Sequence, residues 1–193
     1  MNYQWNWGVF LQPSASGDDT YLGWMFAGFK MTIGLSLSAW VIALLLGALV
    51  GVLRTVPNKV LAGFATAYVE MFRNVPLLVQ LFIWYFVLPE LLPASIGDAY
   101  KQSNPVMQQF LASMICLGLF TSARVAEQVR AGIYSLLRGQ KNAGLALGFT
   151  LPQTYRFVML PMAFRLVVPP LTSEFLNIFK NSAVCSTIGL LEL

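Results

Sequence analysis

The sequence predicts an all-α, polytopic membrane protein, and three observations point there. Only 10% of the 193 residues are charged, while 57% are hydrophobic and 13% aromatic; an ordinary soluble domain carries about 25% charged residues. The stretch 31–53, MTIGLSLSAWVIALLLGALVGVL, contains no charge and has the length of about 20 apolar residues that a bilayer-spanning helix needs. Most of the few charges fall between apolar stretches rather than within them. So few charges cannot clothe a soluble globule, and so much apolar surface is incompatible with disorder.

Composition also limits the chemistry. There is no histidine, which excludes histidine acid–base catalysis, Ser–His nucleophiles and histidine metal ligands. Cys116 and Cys185 lie far apart in apolar surroundings, so they read as buried packing thiols rather than a redox or zinc pair. Neither a catalytic residue nor a metal site is expected, and an enzyme is the least favoured class. The formal net charge of +4 is too small to argue for nucleic acid. No G-x-x-x-x-G-K-[ST] loop occurs, so the chain cannot cradle ATP phosphates and must borrow energy from elsewhere.

Four spans are expected within a single transmembrane domain covering 1–193. The first is 31–53, where Gly34, Ser38, Gly47 and Gly51 recur; the Gly47–Gly51 spacing lets helices approach closely in lipid. Ahead of it Trp5, Trp7 and Trp24 read as interface anchors, and the N-terminus lacks the pattern of a cleaved signal. The second span, 75–92, follows a mixed stretch, 60–73, that extends the helix toward water. Pro76 suits a kink or a fresh helix start, and Gln80 is the one polar residue in the apolar part. Residues 95–104 read as a loop punctuated by Gly97 and Pro105. The third span, 106–123, runs on into a charged helix. The fourth, 161–180, is the least apolar, with Arg165, Glu174, Asn177 and Lys180 along it and Pro169–Pro170 in its middle.

Charges in the connections set the expected orientation. The N-terminal segment holds Asp18 and Asp19 and no Lys or Arg before Lys30; the first connection holds Arg54 and Lys59. The second holds Glu90, Asp98 and Lys101; the third holds Arg130, Arg138, Lys141 and Arg156. The positive-inside rule then places the N-terminus outside and the first and third connections in the cytoplasm.

The third connection, 139–161, has local design. Gly148 suits the residue just past a helix end. Thr150 offers an N-cap, with Gln153 three residues on as its capping-box partner. Pro152 sits in a first turn, where its missing N–H is harmless, and Pro161 marks the return to the membrane. Ala143, Gly144 and Ala146 give the first helix a face of small residues, which either sinks into a groove on another protein or merely makes a helical loop.

These residues resemble a known family: the permease subunits of ATP-binding-cassette importers, in the polar amino acid branch. That family's loop reads Glu-Ala-Ala, then a glycine, then an apolar-x-Leu-Pro ending. Here Asn142-Ala143-Gly144, Gly148 and Val158-Met159-Leu160-Pro161 stand at those places. Further matches are Tyr68 to Gln80 (YVEMFRNVPLLVQ), Glu127-Gln128-Val129-Arg130, Pro169-Pro170 and Phe179-Lys180-Asn181-Ser182. The resemblance covers nearly the whole chain and is strongest to bacterial glutamate/aspartate import permeases. It implies the MetI-like permease fold in the cell inner membrane and alternating-access transport of polar amino acids, glutamate and aspartate first. It also implies that the loop, with Gly139, Asn142, Ala143, Gly144, Gly148 and Pro161, couples to a cytoplasmic ATPase dimer holding ATP and Mg. A second homologous permease subunit and a periplasmic amino acid-binding protein are the other implied partners. Two departures stand out: Asn142 cannot form the ion pair a glutamate could, and Gly144 replaces the second alanine. Family members continue past the Ile188 to Leu193 ending into a fifth spanning helix, so the 193-residue form is expected to lack it and to transport poorly.

Ionisable groups at membrane depth are costly and are functional candidates by default. Glu70 and Arg73 are three apart and are expected to pair, as a structural or gating pair or as part of the path. Arg124, Glu127 and Arg130 step by three and read as a charged helix end at the cytoplasmic interface, or as gating ion pairs. Glu174, Asn177 and Asn181 share a face beside Lys180 and Ser182. This cluster follows Pro169–Pro170, expected to break the helix and expose backbone where substrate binds. Arg73, Asn177, Lys180 and Ser182 suit the carboxylates of an acidic amino acid and Glu174 its ammonium; the competing reading is polar glue between helices. A membrane anchor without its own path is the alternative function, but it has no need of Glu174 and Lys180 at depth. An autonomous ion-coupled transporter would need two inverted repeats, for which four spans leave no room.

Overall fold

The computed structural model describes residues 6–14, 19–136 and 138–190, excluding the Arg138 side chain. The expectations on Trp5, Asp18, the Arg138 side chain and 191–193 fall outside those residues. No strand occurs among the described residues, apart from an isolated bridge between Pro13 and Thr20.

Helix α1 runs Tyr21–Leu53, starting ten residues before the apolar run because Thr20 caps it: the Thr20 side chain accepts from Gly23 N–H at 3.1 Å. Trp24 and Trp7 stand exposed ahead of the apolar run. Helix α2 (Lys59–Asn74) is capped by Asn58, whose side chain accepts from Val60 and Leu61 N–H. At Pro76 the chain starts afresh as α3 (Leu77–Leu91), with a 101° bend between the two. Proline cannot supply the donor that the Phe72 carbonyl would receive if α2 continued. Gln80 supplies it: its Nε2 donates to Phe72 O at 2.8 Å and to Val75 O at 2.9 Å. The lone polar residue of the second span is thus the clamp of the bend.

The 95–104 segment, read as a loop, is largely helical: α4 spans Ala94–Lys101, after Pro93. Gly97 is why it fits: a Cβ there would lie 2.6 Å from the Pro89 carbonyl, so the helix folds flat against the end of α3. Tyr100 pins it by donating to Gln108 O at 2.8 Å, and burial pushes its phenol pKa up, keeping it a neutral donor.

Helix α5 (Pro105–Tyr134) is capped by Asn104 and carries the third span and its charged continuation as one rod. It is the centre of the bundle. Gly118 faces Ile42, Gly47 faces Val125 and the Ser122 carbonyl, and Gly51 faces Val129. A Cβ at Gly47 would sit 2.6 Å from Val125 Cβ, so the small-residue pair is spent on the α1–α5 contact inside this chain. The paired positions rise together, so α1 and α5 run parallel. Helix α6 (Arg138–Ala146) follows, then α7 (Leu151–Thr154), a π-helical turn Tyr155–Met159, and α8 (Leu160–Ser182) without a break. Gly132 packs on Val167 and, further along, Arg124 reaches Glu174, so α8 runs antiparallel to α5. A 3-10 turn, Ala183–Ile188, ends at Gly189 with φ 89°.

The expected break at Pro169–Pro170 is absent, for both prolines lie inside α8. They remove only the donors for the Arg165 and Leu166 carbonyls, on residues exposed to the outside of the bundle, and a membrane helix tolerates such freed carbonyls when they are served elsewhere. Among the described residues two helices, Tyr21–Leu53 and Pro105–Tyr134, are long and apolar enough to cross a bilayer, and the bent pair Lys59–Asn74 and Leu77–Leu91 is a third if it counts as one span. Helix α8 has 23 residues, the length of a span, but a more polar composition. Cys116 and Cys185 are buried in the core formed by α1, α3, α5, α8 and the Ala183–Ile188 turn.

Candidate functional site

The charged residues gather in two layers on α5. The outer layer is Arg124 with Glu174 of α8: Arg124 Nη1 lies 3.9 Å from Glu174 Oε1. Glu174 is buried and its other oxygen, Oε2, has no hydrogen-bond partner among the described residues. The Arg124 side chain is 46% exposed and its guanidinium lies over the Phe120 ring, 5.2 Å from the centroid. Gly47 of α1 packs between Ser122 and Val125, so this layer is level with Gly47. Six residues of α1 separate that level from Leu53, about 9 Å at the helical rise.

The inner layer, one turn further on, is built around Glu127. Arg54 at the end of α1 makes a short ion pair with it. Arg73 from α2 reaches it at 3.2 Å and Arg130 at 3.6 Å. Arg54 is buried to 7% side-chain exposure and also donates through Nε to Thr66 Oγ1 at 3.3 Å. One carboxylate therefore binds α1, α2 and α5 together, in surroundings where an unpaired charge would be costly.

The layers revise the expected pairings. Arg73 turns to Glu127 rather than to Glu70, and Glu70 is exposed with no ion pair among the described residues. Arg54, read from sequence only as a loop charge, is the best-buried partner of Glu127; seventy-three residues separate the two, so no local pattern announces the pair. Arg124 goes to Glu174 and Arg130 stays with Glu127. Of the fourth-span cluster, Asn177 is half-buried on the Glu174 side, while Ser182 is buried with its hydroxyl donating to Phe179 O at 2.9 Å. Lys180 is exposed and stands about 120° round the helix from Glu174 at 3.6 residues per turn.

The 139–161 segment closes one end of the bundle. Gly148 takes φ 85°, and beyond it Phe149 N–H donates back to Gly144 O at 3.2 Å, closing the turn after α6. Gln153 Oε1 accepts from Thr150 N–H at 2.8 Å and from its hydroxyl at 3.0 Å. The departure at Gly144 has a steric reason: a Cβ there would lie 2.7 Å from Thr154 Cγ2. α6 and α7 pack through that contact. Tyr155 donates to Thr55 O at 2.8 Å, tying the segment to the end of α1. Gly139, Asn142, Ala143 and Pro161 are exposed, as are Leu147 and Phe157.

A helical bundle that buries ion pairs between its long apolar helices, and holds a capped helical elbow at one end, is the build of a membrane transport subunit. The family model described as binding-protein-dependent transport system inner membrane component matches residues 43–191, and the chain belongs to that family. It is a multi-pass inner-membrane permease subunit. It is 61% identical over 194 residues to the glutamate/aspartate import permease protein GltJ of Escherichia coli (strain K12), an alignment covering 100% of this chain and 79% of GltJ. To the glutamate/aspartate import permease protein GltK of Escherichia coli O6:H1 it is 32% identical over 190 residues, 98% of this chain and 80% of GltK. The crystal structure of an amino acid ABC transporter with histidines superposes with a TM-score of 0.74 at 32% identity, covering 90% of this chain and 75% of that one.

Proposed function

We propose that this chain is one permease half of an ATP-driven importer for acidic amino acids, glutamate and aspartate, working by alternating access. The observation that carries the reading is the 61% identity to GltJ across the whole chain. The much lower identity to GltK, a second permease named for the same substrates, supports pairing with a related subunit rather than with a copy. A cytoplasmic ATPase dimer supplies ATP and Mg, and a periplasmic amino acid-binding protein delivers substrate. The N-terminus lies on the periplasmic side and α8 crosses the membrane, consistent with its antiparallel course against α5.

In this reading the exposed residues of the 139–161 elbow, Gly139, Asn142, Ala143 and Pro161 with the close-packed Gly144 and the Gly148 turn, form the ATPase-coupling surface. Leu147 and Phe157 are the apolar knobs beside it. The path runs along the Glu174–Asn177 side of α8, with Arg73 near its cytoplasmic end and Lys180 and Ser182 near its outer end. The Glu127 layer, with Arg130, holds the helices around that path.

The test is reconstitution in proteoliposomes with the second permease, the ATPase and the binding protein. ATP-dependent uptake of labelled glutamate and aspartate, lost when any partner is omitted, is expected. ATP hydrolysis stimulated by the loaded binding protein without amino acid uptake rules the reading out. Wild-type rate and selectivity in both Glu174→Gln and Lys180→Met remove those two residues from the path.

A further inference from the structure

The 139–161 elbow is joined to α5 and α8 by the chain itself, but it meets the α1–α2 side of the bundle only through side chains. Among the described residues, the hydrogen bonds that cross to that side belong to Tyr155. Its phenol is buried, at 7% exposure, and donates to Thr55 O at 2.8 Å, with Thr55 Oγ1 at 3.3 Å. The Thr55 hydroxyl donates its own proton to Val52 O at 2.8 Å, so toward the phenol it can only accept. The remaining contact is apolar, with Val52 packed on the group of Ile133, Tyr155 and Met159. Such packing is non-directional: it resists separation and allows sliding. A cavity of about 420 Å³ opens beside the phenol, lined by Tyr155 and Thr55 together with Ile133, Lys141 and Asn142, so the elbow has room to shift. Thr55 in turn follows Arg54, whose guanidinium is held by Glu127 and, through that carboxylate, by Arg73 of α2 and Arg130 of α5.

A pull on the elbow therefore reaches the phenol first and the Thr55 backbone second. The Glu127 hub, where α1, α2 and α5 meet, lies one residue further back, across a stiff, planar peptide unit. We propose that Tyr155 is the positioning residue of coupling: the latch that passes movement of the elbow to α1 and α2, while α5 and α8 follow through the chain. It acts through Thr55 and Arg54 and touches neither substrate nor nucleotide. The inference deepens the transport reading above and rests on the coupling role given there to the elbow. Tyr155 also opens the π-helical turn Tyr155–Met159, which Leu160 N–H closes on Tyr155 O; single π turns inside helices are rare and recur at functional sites.

The latch is tested by counting uptake of labelled glutamate and ATP hydrolysis together, in proteoliposomes holding the full complex with its second permease, ATPase and binding protein. Tyr155→Phe removes the hydroxyl and keeps the ring. The ATPase should still co-purify and hydrolyse ATP at the basal rate, while the ATP consumed per glutamate rises about fivefold to tenfold, the factor one buried hydrogen bond is worth. Tyr155→4-aminophenylalanine returns an N–H donor to the same place and should recover most of the coupling. Thr55→Ala keeps the carbonyl acceptor and should change the ratio by less than about twofold. A lower unfolding midpoint in Tyr155→Phe with an unchanged ratio makes the phenol a packing contact and overturns the latch. Loss of the ATPase from the complex overturns it too, as does a ratio that 4-aminophenylalanine fails to restore. Wild-type hydrolysis without uptake sinks the transport reading; a coupled wild type with an equally coupled Tyr155→Phe sinks the latch alone.

Discussion

Glu127 and Glu174 are the same kind of group placed about one turn apart in depth, and they live in opposite states. Glu127 is ringed by Arg54, Arg73 and Arg130 from three different helices. Among the described residues Glu174 has one distant guanidinium and an oxygen with no hydrogen-bond partner. A saturated carboxylate works as a rivet: its charge is neutralised several times over, and nothing is left to offer a ligand. An under-partnered one keeps its desolvation cost outstanding and is relieved only when something arrives. The distinction is invisible in the residue types and lies wholly in the number and reach of the partners.

The sharpest way to break the contrast is Glu127→Ala, which strands the buried Arg54 without a counter-charge. A loss of about 3–5 kcal/mol is expected, measured as a fall in the unfolding midpoint of the detergent-solubilised complex. Arg54→Met combined with Glu127→Leu should recover most of it, since a buried pair replaced by apolar groups of similar volume is often neutral. Gln80→Leu asks whether an uncharged clamp behaves like the rivet. It removes two hydrogen bonds to the α2 end, one buried and one partly buried, and about 2 kcal/mol should go with them. Gly144→Ala should cost about 1–3 kcal/mol in stability, because the added Cβ meets the Thr154 methyl at 2.7 Å and the fully buried Thr154 has little room to yield. Its larger effect is on coupling: ATP hydrolysis stimulated by loaded binding protein should fall, and Thr154→Ser, which removes the crowding methyl, should restore it. Arg124→Met lies at the small end, under about 1 kcal/mol, because a half-exposed, loosely held partner contributes little. A stability loss there as large as that of Glu127→Ala would erase the distinction between the two carboxylates.

The bundle was legible wherever the signal is local. The uncharged 31–53 run, the charged continuation of the third span, and the Gly148, Thr150 and Gln153 signals all depend on neighbours within a few positions. What escaped depends on distant chain. Arg54 with Glu127, and Arg124 with Glu174, are contacts between helices whose register no single-sequence periodicity reports. Arg73 had a plausible local partner in Glu70 and chose a tertiary one. Residues 95–104 read as a loop on polarity, but Gly97 lets Ala94–Lys101 coil against the Pro89 carbonyl. Pro169–Pro170 read as a break on propensity, but the helix carries both, as packed membrane helices can.

The Gln80 clamp has a consequence for inheritance. Pro76 withdraws a donor from the Phe72 carbonyl and Gln80 returns one, so neither residue has a fixed worth. With alanine at 76 the helix supplies its own donor and the glutamine becomes an idle amide in apolar surroundings; with leucine at 80 the proline leaves a carbonyl unanswered. Each substitution is harmful alone and milder in the other's company, so the worth of one depends on the other within a single bend. Lineages that straighten this bend should therefore change both positions together, and a homologue with only one of the two altered should show a differently angled second span.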